Sequence, residues 1–374
     1  MKVLTKIGSA ATAVALMASV LVAGTTTANA APCAGNLKIY FQGALTGSYA
    51  ETGINEYNGV KLAIKNYMAK SPTTKIDADA IDTEASGAKS PALAQKVVDD
   101  TCGLAVVGGM YSGETLAAAP ILQAGKVPTI SPSATNPQLT NKSPYFHRVV
   151  ANDLVQGPAL AGIAKRLKTK VFVVDDATPY GAGLAKIFKS DAAKIIVGSD
   201  SVTEGTTNFS SVVTKVKSSK ATAVFYGGYY PEAAIFVKAL RDNPSTKNIK
   251  FIAGDGVLDG EYIKLAKKNA EGSYLTAPGL DMKAAAPTLY KQYKTEYNKE
   301  PGLYTLEAYN ATYFILEGIK AGKTERDALN TWIGGATVKG VGMTMSFLVT
   351  GDSAATVMNE YTIKNGQMVW VRKL

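Results

Sequence analysis

The chain has 374 residues, 46% of them hydrophobic and 19% charged, which is enough for two globular, water-soluble domains. Its formal net charge of +10 raises nucleic acid as a partner, but the lysines are scattered. Lys165, Lys168 and Lys170 form the densest group, Lys264, Lys267 and Lys268 lie on a helix, and there is no arginine-rich or aromatic-interleaved basic run, so a basic solvated surface is the reading and nucleic acid is not expected.

Residues 1–30 carry Lys2 and Lys6, an apolar run from Ile7 to Gly24, and a small-x-small signal at Ala28-Asn29-Ala30. This is the layout of a secretory signal peptide cut after Ala30, and no later stretch is long enough to cross a bilayer. Removing Lys2 and Lys6 from the +10 leaves about +8. Two cysteines in an exported chain predict one disulfide, Cys33–Cys102, stapling the starts of two strands if those strands are neighbours. Such a bond stabilises by roughly 4 kcal/mol on chain-entropy grounds. Cys33 as a lipid-modified N-terminus is the rival, opposed by Pro32 and by the lack of a Leu-Ala-Gly-like approach.

From Leu37 onward strands and helices alternate. Leu37–Gln42 is a strand, followed by the Gly- and hydroxyl-rich turn GALTGSYAETG and a helix over Asn55–Met68, with Val60, Ala63, Ile64, Tyr67 and Met68 on one face. Lys75–Asp82 is a strand and Pro91–Asp100 a helix. Ala105–Gly109 is a strand, Glu114–Gln123 a helix and Val127–Ser131 a strand. Pro144–Val150 is expected to cross to a second series. In that series Asp153–Leu167, Tyr180–Ser190, Phe209–Lys217 and Pro231–Arg241 are helices. Its strands are Lys170–Asp175, Ile195–Gly198, Thr222–Tyr226 and Ile249–Ala253. Gly272–Ala277 is a second crossing, and helices follow at Thr288–Tyr297, Leu306–Lys320 and Arg326–Trp332. The tail is a hairpin turning at Asn365-Gly366. Single helices between strands make right-handed βαβ units and parallel sheets, so two α/β halves with a cleft between them are predicted, closing by a hinge.

Ligands of open α/β sheets sit beyond the strands' carboxyl ends. Two successive units there carry hydroxyl-rich turns: Ser112, placed as a helix N-cap, and Ser133-Ala134-Thr135. Helix-end amides and hydroxyls in that pattern hold a carboxylate without a cation. In the second half the strand ends are followed by Tyr180, Tyr229 and Asp255, the last between two glycines. Tyrosine suits an amphiphilic ligand, and an aspartate at a cleft edge suits an ammonium. Catalytic and metal chemistry is poorly provisioned. His147 is the single histidine, the serine in Gly109-Met110-Tyr111-Ser112-Gly113 is off-centre for a nucleophile elbow, and no phosphate or dinucleotide loop is present. No cofactor or metal is expected. A secreted serine hydrolase using Ser112 and His147 is the alternative from another class.

GALTGSYAETG, SPSATNPQLT, PYGAGLA, FYGGYYPEAA and AGDGV, in this order and spacing, resemble the branched-chain amino-acid binding proteins of ABC importers, type I periplasmic binding proteins. The resemblance covers Leu37–Trp370. It implies two lobes, each a mainly parallel sheet flanked by helices, joined by three crossover segments. Residues 31–150 with 279–344 would form lobe 1, and 151–278 with 345–374 lobe 2. It also implies a monomer that closes over a small amino acid and delivers it to a membrane ABC permease. Ser112, Ser133 and Thr135 match positions holding the ligand's carboxylate and part of its ammonium. Tyr229 matches an ammonium-side tyrosine, and Asp255 falls where the leucine/isoleucine/valine binders have glutamate. Tyr180 and Tyr304 match aromatic positions of the side-chain pocket. Thr52 replaces an aromatic residue that nearby Tyr49 could supply. The family also takes aromatic carboxylates, amides and urea, so those ligands remain the alternative.

Overall fold

The computed structural model describes residues 33–374 apart from 72 and 74; the expected signal peptide at 1–30 lies outside the described residues. The short apolar runs become strands and the segments between them helices, in two series. The first holds β1 (Leu37–Gly43), α1 (Ala50–Lys70), β2 (Ile76–Asp82), α2 (Ser90–Asp99), β3 (Gly103–Gly108), α3 (Ser112–Ala124), β4 (Thr129–Ser131) and β5 (Phe146–Arg148). Its five strands pair in parallel in the order β2-β1-β3-β4-β5.

The second series holds α4 (Asp153–Arg166), β6 (Val171–Asp175), α5 (Pro179–Asp191), β7 (Ile196–Ser201), α6 (Ser210–Ser218), β8 (Ala223–Gly227), α7 (Tyr230–Asp242), β9 (Lys250–Ala253), α8 (Gly260–Ala266) and β10 (Tyr274–Ala277). The chain then returns through α9 (Met282–Ala285), α10 (Pro287–Tyr297), α11 (Thr305–Lys320) and α12 (Arg326–Gly335), of which α10 and α11 pack on α1 and α11 also on β3 and β4. A small ladder, β11 (Val338–Lys339) with β12 (Thr344–Met345), precedes the hairpin β13 (Asn359–Lys364) and β14 (Gln367–Lys373). That hairpin adds antiparallel strands to the second sheet, whose order is β14-β13-β10-β9-β8-β6-β7. Asn365 at φ 54° and Gly366 at φ 68° make the left-handed turn the pair was expected to make.

Strands β3, β6 and β8 are buried along their whole length because helices cover both faces, which is why they read as unbroken apolar runs. The two segments expected as crossings, the first of them strand-like, are strands before they cross. Phe146–Arg148 pairs with β4, and Tyr274–Ala277 pairs with both β9 and β13. Phe146–Arg148 completes an edge of the first sheet and Tyr274–Ala277 lies inside the second, before the chain leaves at 149–152 and after Ala277. Cys33 and Cys102 are joined, and the bond sits at the starts of the neighbouring strands β1 and β3.

In each sheet the strand order reverses beside the first strand of its series, between β1 and β3 and between β6 and β8. The carboxyl ends at these reversals open crevices in which loops can cradle a ligand.

Candidate functional site

At the end of β3 the chain turns through Met110 and Tyr111 into α3. Tyr111 is the N-cap and Ser112 the first helical residue, a correction to the expected Ser112 cap. The capping is done by Glu114, whose carboxylate accepts the Met110 N–H at 2.8 Å and the Tyr111 N–H at 3.0 Å, while the Thr83 hydroxyl donates to its other oxygen. The Ser112 hydroxyl is thereby left to the next turn, where it accepts the Asn136 N–H at 3.2 Å. Ser133 donates to the Met110 carbonyl at 2.9 Å, and Ser131 donates to the Gly109 carbonyl at 2.7 Å. Beneath them the fully buried Arg148 donates to the carbonyls of Ala134 and Asn136, each at 3.0 Å, and to Asp352 at 2.7 Å. One guanidinium therefore pins the hydroxyl-bearing turn from behind.

The facing wall is built at the end of β9. Asp255 accepts the Tyr180 hydroxyl at 2.8 Å on one oxygen and the Tyr304 hydroxyl at 2.7 Å on the other. Burial pushes its pKa up and these two hydrogen bonds pull it down. The flanking glycine is required by closeness: a Cβ on Gly256 would lie 2.7 Å from the Gly228 carbonyl oxygen and 2.8 Å from the Tyr180 ring. Tyr304 is held at φ 66°, a strained conformation for a bulky residue, at the point where α11 begins. Tyr229 stacks on Tyr180 at 5.0 Å and meets Tyr111 edge-on at 4.7 Å.

Between the walls lies a narrow cavity, about 410 Å³ of unfilled space when the part open to solvent is included. Of the expected ligand residues, Ser112, Ser133, Tyr180, Tyr229, Asp255, Tyr304 and Thr52 line it together. Ala134, Thr135 and Tyr49 do not. Ala134 and Thr135 are buried in the turn behind Ser133, with the Thr135 hydroxyl beside Asp153. Tyr49 turns its hydroxyl to Glu232 at 2.9 Å and its ring to Tyr111, Tyr229 and Tyr230. The lining also includes Glu56, Asp259, Tyr111 and Tyr230, with Met110, Leu258 and Leu303 as apolar patches. Glu56 was legible in principle, since it stands one helical turn after Thr52 on α1 and so shares its face. Asp259 caps α8 and accepts the Thr52 hydroxyl at 2.7 Å, a contact between distant segments with no local signal.

Several contacts join the two series across the cleft: Tyr304 to Asp255, Thr52 to Asp259, Tyr49 to Glu232, and the Tyr230 hydroxyl to the Ser48 carbonyl at 2.7 Å. His147 lies elsewhere, on β5 with its ring 4.9 Å from Phe347, and burial lowers its pKa to about 4. It does not line the cavity with Ser112, so the pairing a serine hydrolase needs is not formed. Among the described residues no His, Cys, Asp and Glu cluster has the makings of a metal site.

Two sheets, crevices at both strand-order reversals and a shared cavity define a two-lobed binding fold. Residues 37–367 match the family described as periplasmic binding protein, and the chain belongs to that family. Among curated relatives, the Leu/Ile/Val-binding protein BraC3 of Rhizobium johnstonii is 32% identical over 75% of this chain and 78% of its own. The leucine-specific-binding protein of Salmonella typhimurium is 28% identical over 84% and 79%. Among solved structures, the branched-chain amino acid transporter substrate binding protein LivJ of Streptococcus pneumoniae, in complex with isoleucine, superposes with a TM-score of 0.84. It is 25% identical and covers 91% of this chain and 99% of its own.

Proposed function

We propose that this protein captures a small amino acid outside the cytoplasm, aliphatic in its side chain, and hands it to an ABC permease without making or breaking a bond. The observation that carries this reading is the pairing of opposite walls around one cavity: serine hydroxyls on the β3–β4 side and Asp255, held by two tyrosines, on the other. A zwitterion satisfies both walls at once, its carboxylate accepting a hydrogen bond from the Ser112 hydroxyl and its ammonium on the aspartate. Tyrosine rings with Met110, Leu258 and Leu303 supply apolar contact for a side chain. The names of the relatives support the same ligand class, and the family supports a cell-envelope location after removal of residues 1–30. Residues 31–150 with 279–344 and 151–278 with 345–374 are the two lobes in this reading, and the working unit is a monomer.

The test is a thermal-shift screen of amino acids and aromatic acids followed by calorimetry, since a ligand of the folded state raises its stability. Leucine, isoleucine or valine is expected to bind, and Ser112→Ala and Asp255→Ala each to weaken binding by roughly 1.5–3 kcal/mol. Unchanged affinity in both variants refutes the site. An aromatic carboxylate offers Asp255 no ammonium, so a ligand whose binding Asp255→Asn spares or strengthens would establish that alternative instead.

A further inference from the structure

Among the described residues, Glu56 is the one carboxyl of the cavity wall left without a hydrogen-bond partner. It projects from α1, one turn after Thr52, and is fully buried, with neither oxygen hydrogen-bonded among the described residues. Asp255 and Asp259, the other acids of the wall, have their oxygens taken by tyrosine, threonine and backbone donors. The groups facing Glu56 come from three other elements: Glu114 and Tyr111 at the start of α3, Glu307 on α11, and Ser133 after β4, whose hydroxyl is committed to the Met110 carbonyl. Two of these are acids and none is a cation. Burial, aided by the Glu114 and Glu307 carboxyls and opposed by the Ser133 hydroxyl, drives the Glu56 carboxyl well above its ordinary range. A neutral carboxyl beside serine hydroxyls is a donor placed where an anion would sit.

We propose that Glu56 completes the anion seat, its carboxyl O–H donating a hydrogen bond to the ligand's carboxylate beside Ser112 and Ser133, so that the seat works only while this carboxyl holds its proton. This rests on the amino-acid reading above. It gives the seat a donor without a counter-charge, so Asp255 alone answers the ammonium.

The probe is L-isoleucine, titrated by calorimetry between pH 6 and 8.5 in buffers of different ionisation enthalpy, with wild type, Glu56→Gln and Glu56→Ala. Toward pH 8.5, as the free carboxyl begins to ionise, wild type is expected to take up a growing fraction of a proton per ligand that Glu56→Gln does not, with affinity falling by up to about tenfold per pH unit relative to that variant. Glu56→Gln keeps a weaker donor and loses about threefold at pH 7, whereas Glu56→Ala loses more than about tenfold. Glu56→Gln with wild-type proton uptake overturns the proposal, as does a loss beyond about tenfold at every pH, which would make Glu56 an ionised partner of the ammonium. Should Glu56→Ala fail to fold, the Gln variant decides alone. Isoleucine, leucine and valine all failing to bind wild type would instead remove the amino-acid reading, and this proposal with it.

Discussion

Arg148 has no solvent exposure and spends its donors on Asp352, the carbonyls of Ala134 and Asn136, and the Thr140 hydroxyl at 2.8 Å. A buried guanidinium is costly to desolvate, and here its fork geometry is used to hold the turn that places Ser133. Arg148→Met removes at once the guanidinium bonds to two carbonyls and to Asp352, which keeps only Thr140 and Asn152 as side-chain donors. The expected loss is about 3–5 kcal/mol of folding stability by urea denaturation, accompanied by weaker ligand binding as the turn loosens. Arg148→Lys should recover only part of this, because a single ammonium cannot reach all of those acceptors. Nothing local marked this residue. Its carboxylate partner, Asp352, is 204 positions away in the chain.

At the scale of elements the sequence was easiest to read where structure is local. The runs KVFVVD and TAVFY are strands because both faces are covered, and Pro231 opens α7 from its first turn. Reading weakened where partners are remote. Phe146–Arg148 and Tyr274–Ala277 were expected as crossings since three or four residues show no period, and only β4, β9 and β13 make strands of them. In the site, the motif-bearing turns were legible, but Glu56 and Asp259 sat outside those motifs. The α12 junction is a similar long-range device. Arg326, at its first position, sends all five N–H groups to the carbonyls of Val97, Val98, Asp100, Gly103 and Gly125, closing the exposed end of α2. A cation there also faces the negative end of the helix dipole. Arg326→Ala is expected to lower stability by about 2–3 kcal/mol in chemical denaturation, with isoleucine affinity unchanged because the corner is remote from the cavity. A loss under about 0.5 kcal/mol would mean solvent replaces the guanidinium without penalty.

Taken whole, the molecule is basic outside and acidic around its cleft, and the second property governs its response to pH. Burial raises Glu114, Asp176 and Glu307 to about 7 and Asp153 to about 8. In the unfolded chain these carboxyls return to about 4. Between those values the folded state binds more protons than the unfolded one, so stability is fully present below about pH 4 for these groups and is lost as pH rises toward 7 or 8. His147 acts in the opposite sense, but only between its folded value of about 4 and its ordinary 6.5. One histidine against four carboxyls leaves the acids in control, and above pH 6.5 they act unopposed by it. The melting temperature without ligand should therefore fall by several degrees between pH 6.5 and 8.5, an order of magnitude set by roughly 1 kcal/mol per few degrees. Asp153→Asn isolates one contributor: both Asp153 oxygens are buried without a hydrogen-bond partner among the described residues, so a neutral amide mimics its protonated form. The variant should melt close to wild type at pH 6 and above it at pH 8.5. A melting temperature that rises through this range in wild type would mean that the acids are ionised and paired in the folded protein, and a slope unaltered by Asp153→Asn would place the titration on the other buried acids, Glu56 among them.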